Sequence, residues 1–155
     1  MLTRLVTRED AEYLFKWRND PHTIAMSLNS MPVTWNEHTN WLQHALNDER
    51  KLLILCYLKN SAPVGFVRFD VHYHYAEVSI NLNPRCRGKG VAKRCLTAAL
   101  ERFKKEFQSS TLIKARIKVE NEASKRLFTG VGFTSFKVQD DIIFYSLDLT
   151  PYHKI

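Results

Sequence analysis

Apolar residues recur along this chain first at strand spacing, then at helix spacing, and capping and turn residues mark the changes. Leu2–Val6 reads as a short strand. Thr7, with Glu9 and Asp10 in the next turn, caps a helix predicted over Arg8–Arg18, which Asn19-Asp20-Pro21 ends. His22–Val33 is polar and irregular. Thr34-Trp35-Asn36-Glu37 has capping-box spacing and predicts a second helix to about Asn47, with Trp41, Leu42, Ala45 and Leu46 as its apolar stripe. Lys51–Leu58, Val64–Val71 and Ala76–Leu82 read as strands of an antiparallel meander, turned at Lys59–Pro63 and His72–Tyr75. Val91–Phe107 is a long amphipathic helix, Leu112–Val119 a strand, and Asn121–Gly130 a short helix that Gly132 ends. Phe133–Val138 and Ile142–Leu149 close the chain as a hairpin about Gln139-Asp140-Asp141. The order β-α-α-β-β-β-α-β-α-β-β predicts one α/β (α+β) domain over residues 1–155, with a mixed sheet of about seven strands flanked by about four helices.

Composition narrows the class. No apolar run approaches the roughly 18–20 residues of a membrane span, and the N-terminus lacks the apolar core of a secretory signal. The expectation is a cytoplasmic protein with no membrane partner. Cys56, Cys86 and Cys95 are odd in number and form no CxxC pair, so reduced thiols are expected and no metal site. The net charge of +7 is spread along the chain, densest at Arg85–Arg94 and Lys114–Lys118. No block of five like charges occurs. That pattern speaks against a nucleic-acid-binding tail and for a polyanionic cofactor or substrate.

The densest chemistry follows the strand Ala76–Leu82. Asn83-Pro84 ends the strand, Arg85-Cys86-Arg87-Gly88-Lys89-Gly90 forms a cationic glycine loop, and the long helix opens at Val91. Free N–H groups of a first helical turn, the helix dipole and nearby cations together bind phosphate or pyrophosphate. A dinucleotide fold would need GxGxxG after the first strand, and a nucleotide P-loop GxxxxGK followed by Ser or Thr. Neither is present. An RNA-binding reading rests on charge alone.

Two motifs resemble the GCN5-related N-acetyltransferase (GNAT) superfamily over nearly the whole chain. The first, Gln/Arg-x-x-Gly-x-Gly/Ala after a strand, reads Arg87-Gly88-Lys89-Gly90-Val91-Ala92, with Pro84 three residues upstream. The second, an Asn opening the next helix and Gly-Phe at its end, reads Asn121 through Gly132-Phe133. The resemblance implies acetyl-coenzyme A (acetyl-CoA) as cofactor. It implies that the strand backbone at Ile80, Asn81 and Leu82 pairs with the pantetheine arm and that the amides of Gly88, Lys89, Gly90, Val91, Ala92 and Lys93 cradle the pyrophosphate. Arg87 and Lys89 would add charge, Asn121 would bond the pantetheine, and Ser124 or Lys125 would touch the nucleotide end.

Acetyl transfer needs a neutral amine, a donor for the thioester oxygen and a proton for the leaving thiolate. By resemblance, the backbone amide near Leu82 is the oxygen's donor. Many family members place a Tyr seven residues after the motif Asn to protonate the thiolate; here that position is Phe128, which has no proton to give. Glu77 opens the central strand where related enzymes hold a carboxylate base, and it is read either as that base or as a solvated strand-end acid. Ser79 and Asn81 share its parity. Tyr145 is the candidate replacement acid, or else a core aromatic.

On the acceptor side, Trp17-Arg18-Asn19, a polar loop with Asn29, and His38 with Trp41 resemble the subgroup that N-acetylates amino sugars on nucleotide carriers, of the pseudaminic-acid pathway type. Arg18 would pair with a substrate phosphate, Asn19 and Asn29 with hydroxyls, and Trp17 and Trp41 would form a wall or belong to the core. His74, in His72-Tyr73-His74-Tyr75, is a substrate contact or a solvated turn residue. The expectation is transfer to a primary amine of a small molecule, with a protein N-terminal acetyltransferase and a non-catalytic acetyl-CoA sensor as alternatives. The final hairpin and the tail Pro151–Ile155 offer a surface for a homodimer.

Overall fold

The computed structural model describes residues 1–150. Seven strands form one sheet: β1 Leu2–Leu5, β2 Lys51–Tyr57, β3 Pro63–Val71, β4 Ala76–Leu82, β5 Leu112–Lys118, β6 Thr134–Gln139 and β7 Ile142–Asp148, in the spatial order β1-β2-β3-β4-β5-β7-β6. The helices are α1 Ala11–Arg18, α2 Pro21–Met26, α3 Trp35–Leu46, α4 Val91–Glu106 and α5 Glu122–Val131. The predicted α/β architecture holds, with each predicted strand and helix close to its expected place. Two differences have local causes. The turn Arg8–Asp10 is 3-10 rather than α, closed by a reciprocal box between Thr7 and Asp10. Within the stretch read as irregular, Asp20 accepts from the Thr23 amide and Pro21 fills the first helical position, so α2 forms.

Caps set the remaining boundaries. Thr34 and Glu37 bond reciprocally at the start of α3. Asn121 Oδ1 accepts from the Ser124 amide, and left-handed Gly132 ends α5. The β6–β7 turn is made by Asp140 and Asp141, both at positive φ as a two-residue hairpin of this hand requires.

The sheet has an apolar layer on each face. On one, Phe69 stacks on Phe103 of α4 at 4.4 Å between ring centroids, among Ile54, Val67, Leu96 and Ile113. Gly65 lets α4 approach: a Cβ there would lie 3.2 Å from Cys95 Sγ. On the other face α1 and α3 bury Leu14, Trp17, Leu42 and Ala45 against Leu53, Leu55 and Phe66. Cys56 and Cys95 are fully buried free thiols. A hydrogen bond with Cys95 and burial push the Cys56 thiol up. The residues Pro151–Ile155, named above as part of an interface, lie outside the described residues.

Five of the strand pairings are antiparallel, two of them with a register shift, at Cys56/Tyr57 and at Ser135/Lys137; the parallel pair β4–β5 is different. It matches only Ala76 with Ile113 and Glu77 with Lys114, and then the strands part. The sheet therefore contains a wedge-shaped opening at its centre.

The N-terminal segment is tied down by Asp10. Its carboxylate accepts from Arg4 Nη1 and Nη2, each at 2.8 Å, from the Thr7 amide at 2.8 Å and from the Tyr13 hydroxyl. Burial would raise the Asp10 carboxyl, but these bonds outweigh it and hold it below the usual carboxylate range. A lowered folded-state value adds stability above the unfolded value, near 3.9, and that stability is lost as pH falls through the folded value. Asp10→Asn is therefore expected to cost about 2 kcal/mol in urea unfolding at neutral pH. The gap between the two proteins should narrow as pH drops below about 4.

Candidate active site

The opening between β4 and β5 exposes backbone on one side in alternation. Asn83 N–H donates to Val64 O, which fixes the ladder with β3. With Leu82 opposite Gly65 and Ile80 opposite Val67, the N–H and C=O groups of Leu82, Ile80 and Val78 turn from β3 toward the opening. Asn81 turns the other way: its backbone faces β3, so only its side chain reaches the cavity. The structure thus narrows the expected backbone strip to Ile80 and Leu82.

Beyond Leu82 the chain makes a 3-10 turn over Pro84–Cys86 and enters the glycine loop. Gly88 and Gly90 both sit at φ +73°, and Gly90 is the residue before α4. A Cβ at either would meet nothing within 4 Å. The protein itself leaves that space open, so only a group lying in the loop would feel a side chain there. A cavity of about 260 Å³ occupies the place, lined by Leu82, Cys86, Gly88, Gly90, Val91, Ala92, Lys93, Ala123, Arg126 and Leu127. The first amides of α4 have no intrahelical partners and face a dipole-positive end.

Among the expected loop cations, only Lys93 lines this cradle; Lys89 is exposed outside it. Arg87 is corrected: its guanidinium forms an ion pair with Asp20 and donates to Thr23 Oγ1 at 2.8 Å, so it points to α2 and away from the cradle. Arg126, which sequence reasoning passed over, takes its place in the lining. The signal was available: with Asn121 as cap, α5 presents Ala123, Arg126 and Leu127 on one helical face.

A second cavity of about 720 Å³ lies on the α1–α3 face. Leu82, Ala92, Ala123 and Leu127 line both cavities, so the two are joined across the β4–β5 opening. Along its floor, β3 and β4 place Phe66 opposite Asn81, Arg68 opposite Ser79 and Asp70 opposite Glu77, all six on the cavity. Glu77 is ion-paired with Arg116 of β5. Asn121, Ser124 and Phe128 close the side toward α5.

The Trp17-Arg18-Asn19 triplet divides into three tasks. Trp17 is buried in the α1–α3 core and does not line the cavity, which corrects its reading as a substrate wall. Asn19 is also withdrawn from the cavity: its Nδ2 donates to Val33 O at 2.8 Å and its Oδ1 accepts from Val33 N–H at 2.9 Å, clamping the loop over residues 27–33. Arg18 does face the cavity, and its Nη2 donates to Met31 O at 3.1 Å. Asn29, His38 and Trp41 line the cavity as expected. His38 is buried and held neutral: burial lowers it against the bond from its Nε2–H to Ala11 O at 2.9 Å. His74 is corrected to an exposed turn residue against Tyr73, away from both cavities. Tyr145 is 5% exposed, packed near Phe128 and absent from the lining of both cavities, which corrects its reading as a proton donor at the site.

A sheet split beside a glycine loop and a helix N-terminus is the arrangement that the resemblance to the GNAT superfamily implies for a phosphate-bearing thioester. The sequence matches the Acetyltransferase (GNAT) domain family over residues 1–134, and the chain belongs to that family as an N-acetyltransferase. No curated protein matches the sequence. The fold is similar to Vibrio cholerae spermidine N-acetyltransferase in complex with CoA and spermine, with TM-score 0.83, 17% identity, and 99% of this chain and 98% of that one covered. It is similar to a putative acetyltransferase from Salmonella typhimurium solved with acetyl-CoA, with TM-score 0.78, 20% identity and coverage of 96% and 94%. It is also similar to ribosomal-protein-alanine N-acetyltransferase from Brucella melitensis, with TM-score 0.78, 19% identity and coverage of 96% and 100%.

Acetyl-CoA fits the residues present: the open space at both glycines accepts a pyrophosphate, and the unpaired strand edge accepts an amide-bearing arm. Gly90→Ala keeps room within the protein but places a methyl in the cradle at an unfavourable φ. Its dissociation constant for acetyl-CoA is expected to rise at least about tenfold by calorimetry, while the backbone strain costs only roughly 1 kcal/mol of stability. An unchanged constant would move the pyrophosphate elsewhere.

Proposed function

We propose that this N-acetyltransferase acetylates a primary amine of a small anionic molecule by direct attack, with an amino sugar on a nucleotide carrier as its acceptor class. The observation that carries this reading is the pair of cavities joined at Leu82: a phosphate cradle on one side of the sheet opening and a 720 Å³ acceptor space on the other. The larger volume is that of a small-molecule pocket rather than a shallow peptide groove.

Acetyl-CoA supplies the activated acyl group, and the residues of this chain handle position and protons. The Leu82 N–H, turned into the opening, is the donor for the thioester oxygen. Glu77 lies on the acceptor side of β4, where its carboxylate takes the ammonium proton directly or through water. Arg116 fixes that carboxylate in place. As the new C–N bond forms and the C–S bond breaks, the amine loses a proton and the sulfur gains one. Phe128 carries no proton to give and Tyr145 is buried away from both cavities, so another group or a water supplies the proton at sulfur.

Glu77→Gln is expected to lower kcat about a hundredfold while the acetyl-CoA dissociation constant stays within about twofold. Unchanged turnover would reduce Glu77 to a partner of Arg116. A thiol-release screen with acetyl-CoA should compare a UDP-linked 4-amino sugar, spermidine, an aminoglycoside and peptides with free N-termini. Turnover of the amino sugar supports the acceptor class, and turnover of peptide alone replaces it with protein N-terminal acetylation.

A further inference from the structure

The cations of the acceptor cavity are not equally matched. Arg87 has Asp20, Arg116 has Glu77, and Arg68 shares Asp70 with Lys51. Among the described residues, no carboxylate pairs with Arg18. Its Nη2 is spent on the carbonyls of Met31 and Asn29, and its Nη1 is buried with no hydrogen-bond partner. Arg68 Nε is also buried without one, because Asp70 Oδ2, 3.2 Å away, lies off its N–H axis.

The two guanidiniums act on each other. Burial lowers Arg18, and the charge of Arg68 lowers it further. Arg68 comes from β3 with its Cζ 5.5 Å from the centre of the Trp41 ring, while Arg18 comes from the end of α1. Asp70 offsets Arg68 only in part, because Lys51 shares it, and no carboxylate of the described lining pairs with Arg18. Glu37 accepts from the Thr34 amide at 2.9 Å in its capping box, and Asp70 and Glu77 already have cations. A buried guanidinium N–H without an acceptor is costly, and an incoming oxyanion removes that cost while offsetting the repulsion.

We propose that Arg18 and Arg68 form the specificity site of the acceptor cavity and bind an anionic oxygen group, a phosphate or a carboxylate, carried by the amine substrate. This rests on the acetyl-transfer reading above and deepens it. Trp41 packs against Arg68 and supplies an apolar wall of the same cavity. The same arrangement disfavours polyamines, since Asp70 and Glu77 offer a second ammonium group no unmatched carboxylate.

The test uses matched amines under saturating acetyl-CoA. Glucosamine 6-phosphate is compared with glucosamine, and an α-amino acid with its amide, by thiol release. A kcat/KM ratio of at least about tenfold for one charged amine over its neutral counterpart is expected, equivalent to about 1.4 kcal/mol. The pair that shows it distinguishes phosphate from carboxylate. Arg18→Gln should cut that ratio about tenfold and Arg18→Lys should restore part of it. A merely structural role would lower both members of a pair together. Arg68→Gln gives an independent second variant, and calorimetry with acetyl-CoA reports whether each variant has folded. Equal turnover of charged and neutral amines, preference for spermidine, or an unmoved ratio in both Gln variants overturns the anion site and leaves acetyl transfer standing. No turnover of any of these amines, nor of the UDP-linked 4-amino sugar, by protein that binds acetyl-CoA overturns the small-amine reading and the anion site with it.

Discussion

The organisation of this molecule depends on how briefly β4 and β5 pair. Two matched residue pairs join the antiparallel meander to the second half of the sheet, and then the strands separate. A longer parallel ladder would have used the backbone groups of Val78, Ile80 and Leu82. Their freedom makes a polar edge in the middle of an otherwise satisfied sheet, where unpaired amides are costly unless something bonds to them. An extended ligand with its own amides is the natural partner for such an edge. The separation also aims the N-terminus of α4 at the head of the opening, so the strand edge and the phosphate cradle belong to one binding path.

The two faces of the sheet divide the remaining work. The face under α4 is apolar and buried, with stacked Phe69 and Phe103 in it, and it fixes the helix whose first turn lines the cradle. The face under α1 and α3 is apolar only at the β1–β3 end. Toward β4 it becomes polar, because every second residue from Phe66 to Asp70 and from Glu77 to Asn81 points into the acceptor cavity. Strand alternation thus converts one sheet into a structural core on one side and a charged substrate surface on the other.

Much of this was legible from local signals. Capping residues, the meander and the glycine loop each reflect short-range stereochemistry, and the elements lie where those signals put them. What escaped the sequence depends on distant partners. Helix α2 is short and has no buried residue, and its start is held by Asp20, which reads locally only as a helix terminator. Trp17 and Trp41 are indistinguishable by type, but Trp17 meets the core and Trp41 meets the cavity edge. Arg87 looked committed to phosphate because of its motif position, while its charge is matched by an acid 67 residues earlier in the chain. Arg126 was passed over because no motif letter marks it, only a helical face.

The Arg87–Asp20 pair changes how the phosphate cradle must be understood. Asp20 is at once the cap of α2 and the acid that holds Arg87, and Thr23 of α2 adds a second bond. The glycine loop is therefore fastened to the helix that borders the larger cavity. With Arg87 engaged there, the positive potential in the cradle comes from the free amides and dipole of α4, supplemented by Lys93 and Arg126. Backbone donors are fixed by the fold and lose no side-chain freedom on binding. That is why the two positive-φ glycines, rather than the density of basic residues around them, are the limiting feature of the loop. They give a phosphate its approach to the amides, and the side chain that the motif offers as a counter-charge instead joins the donor half of the site to the acceptor half.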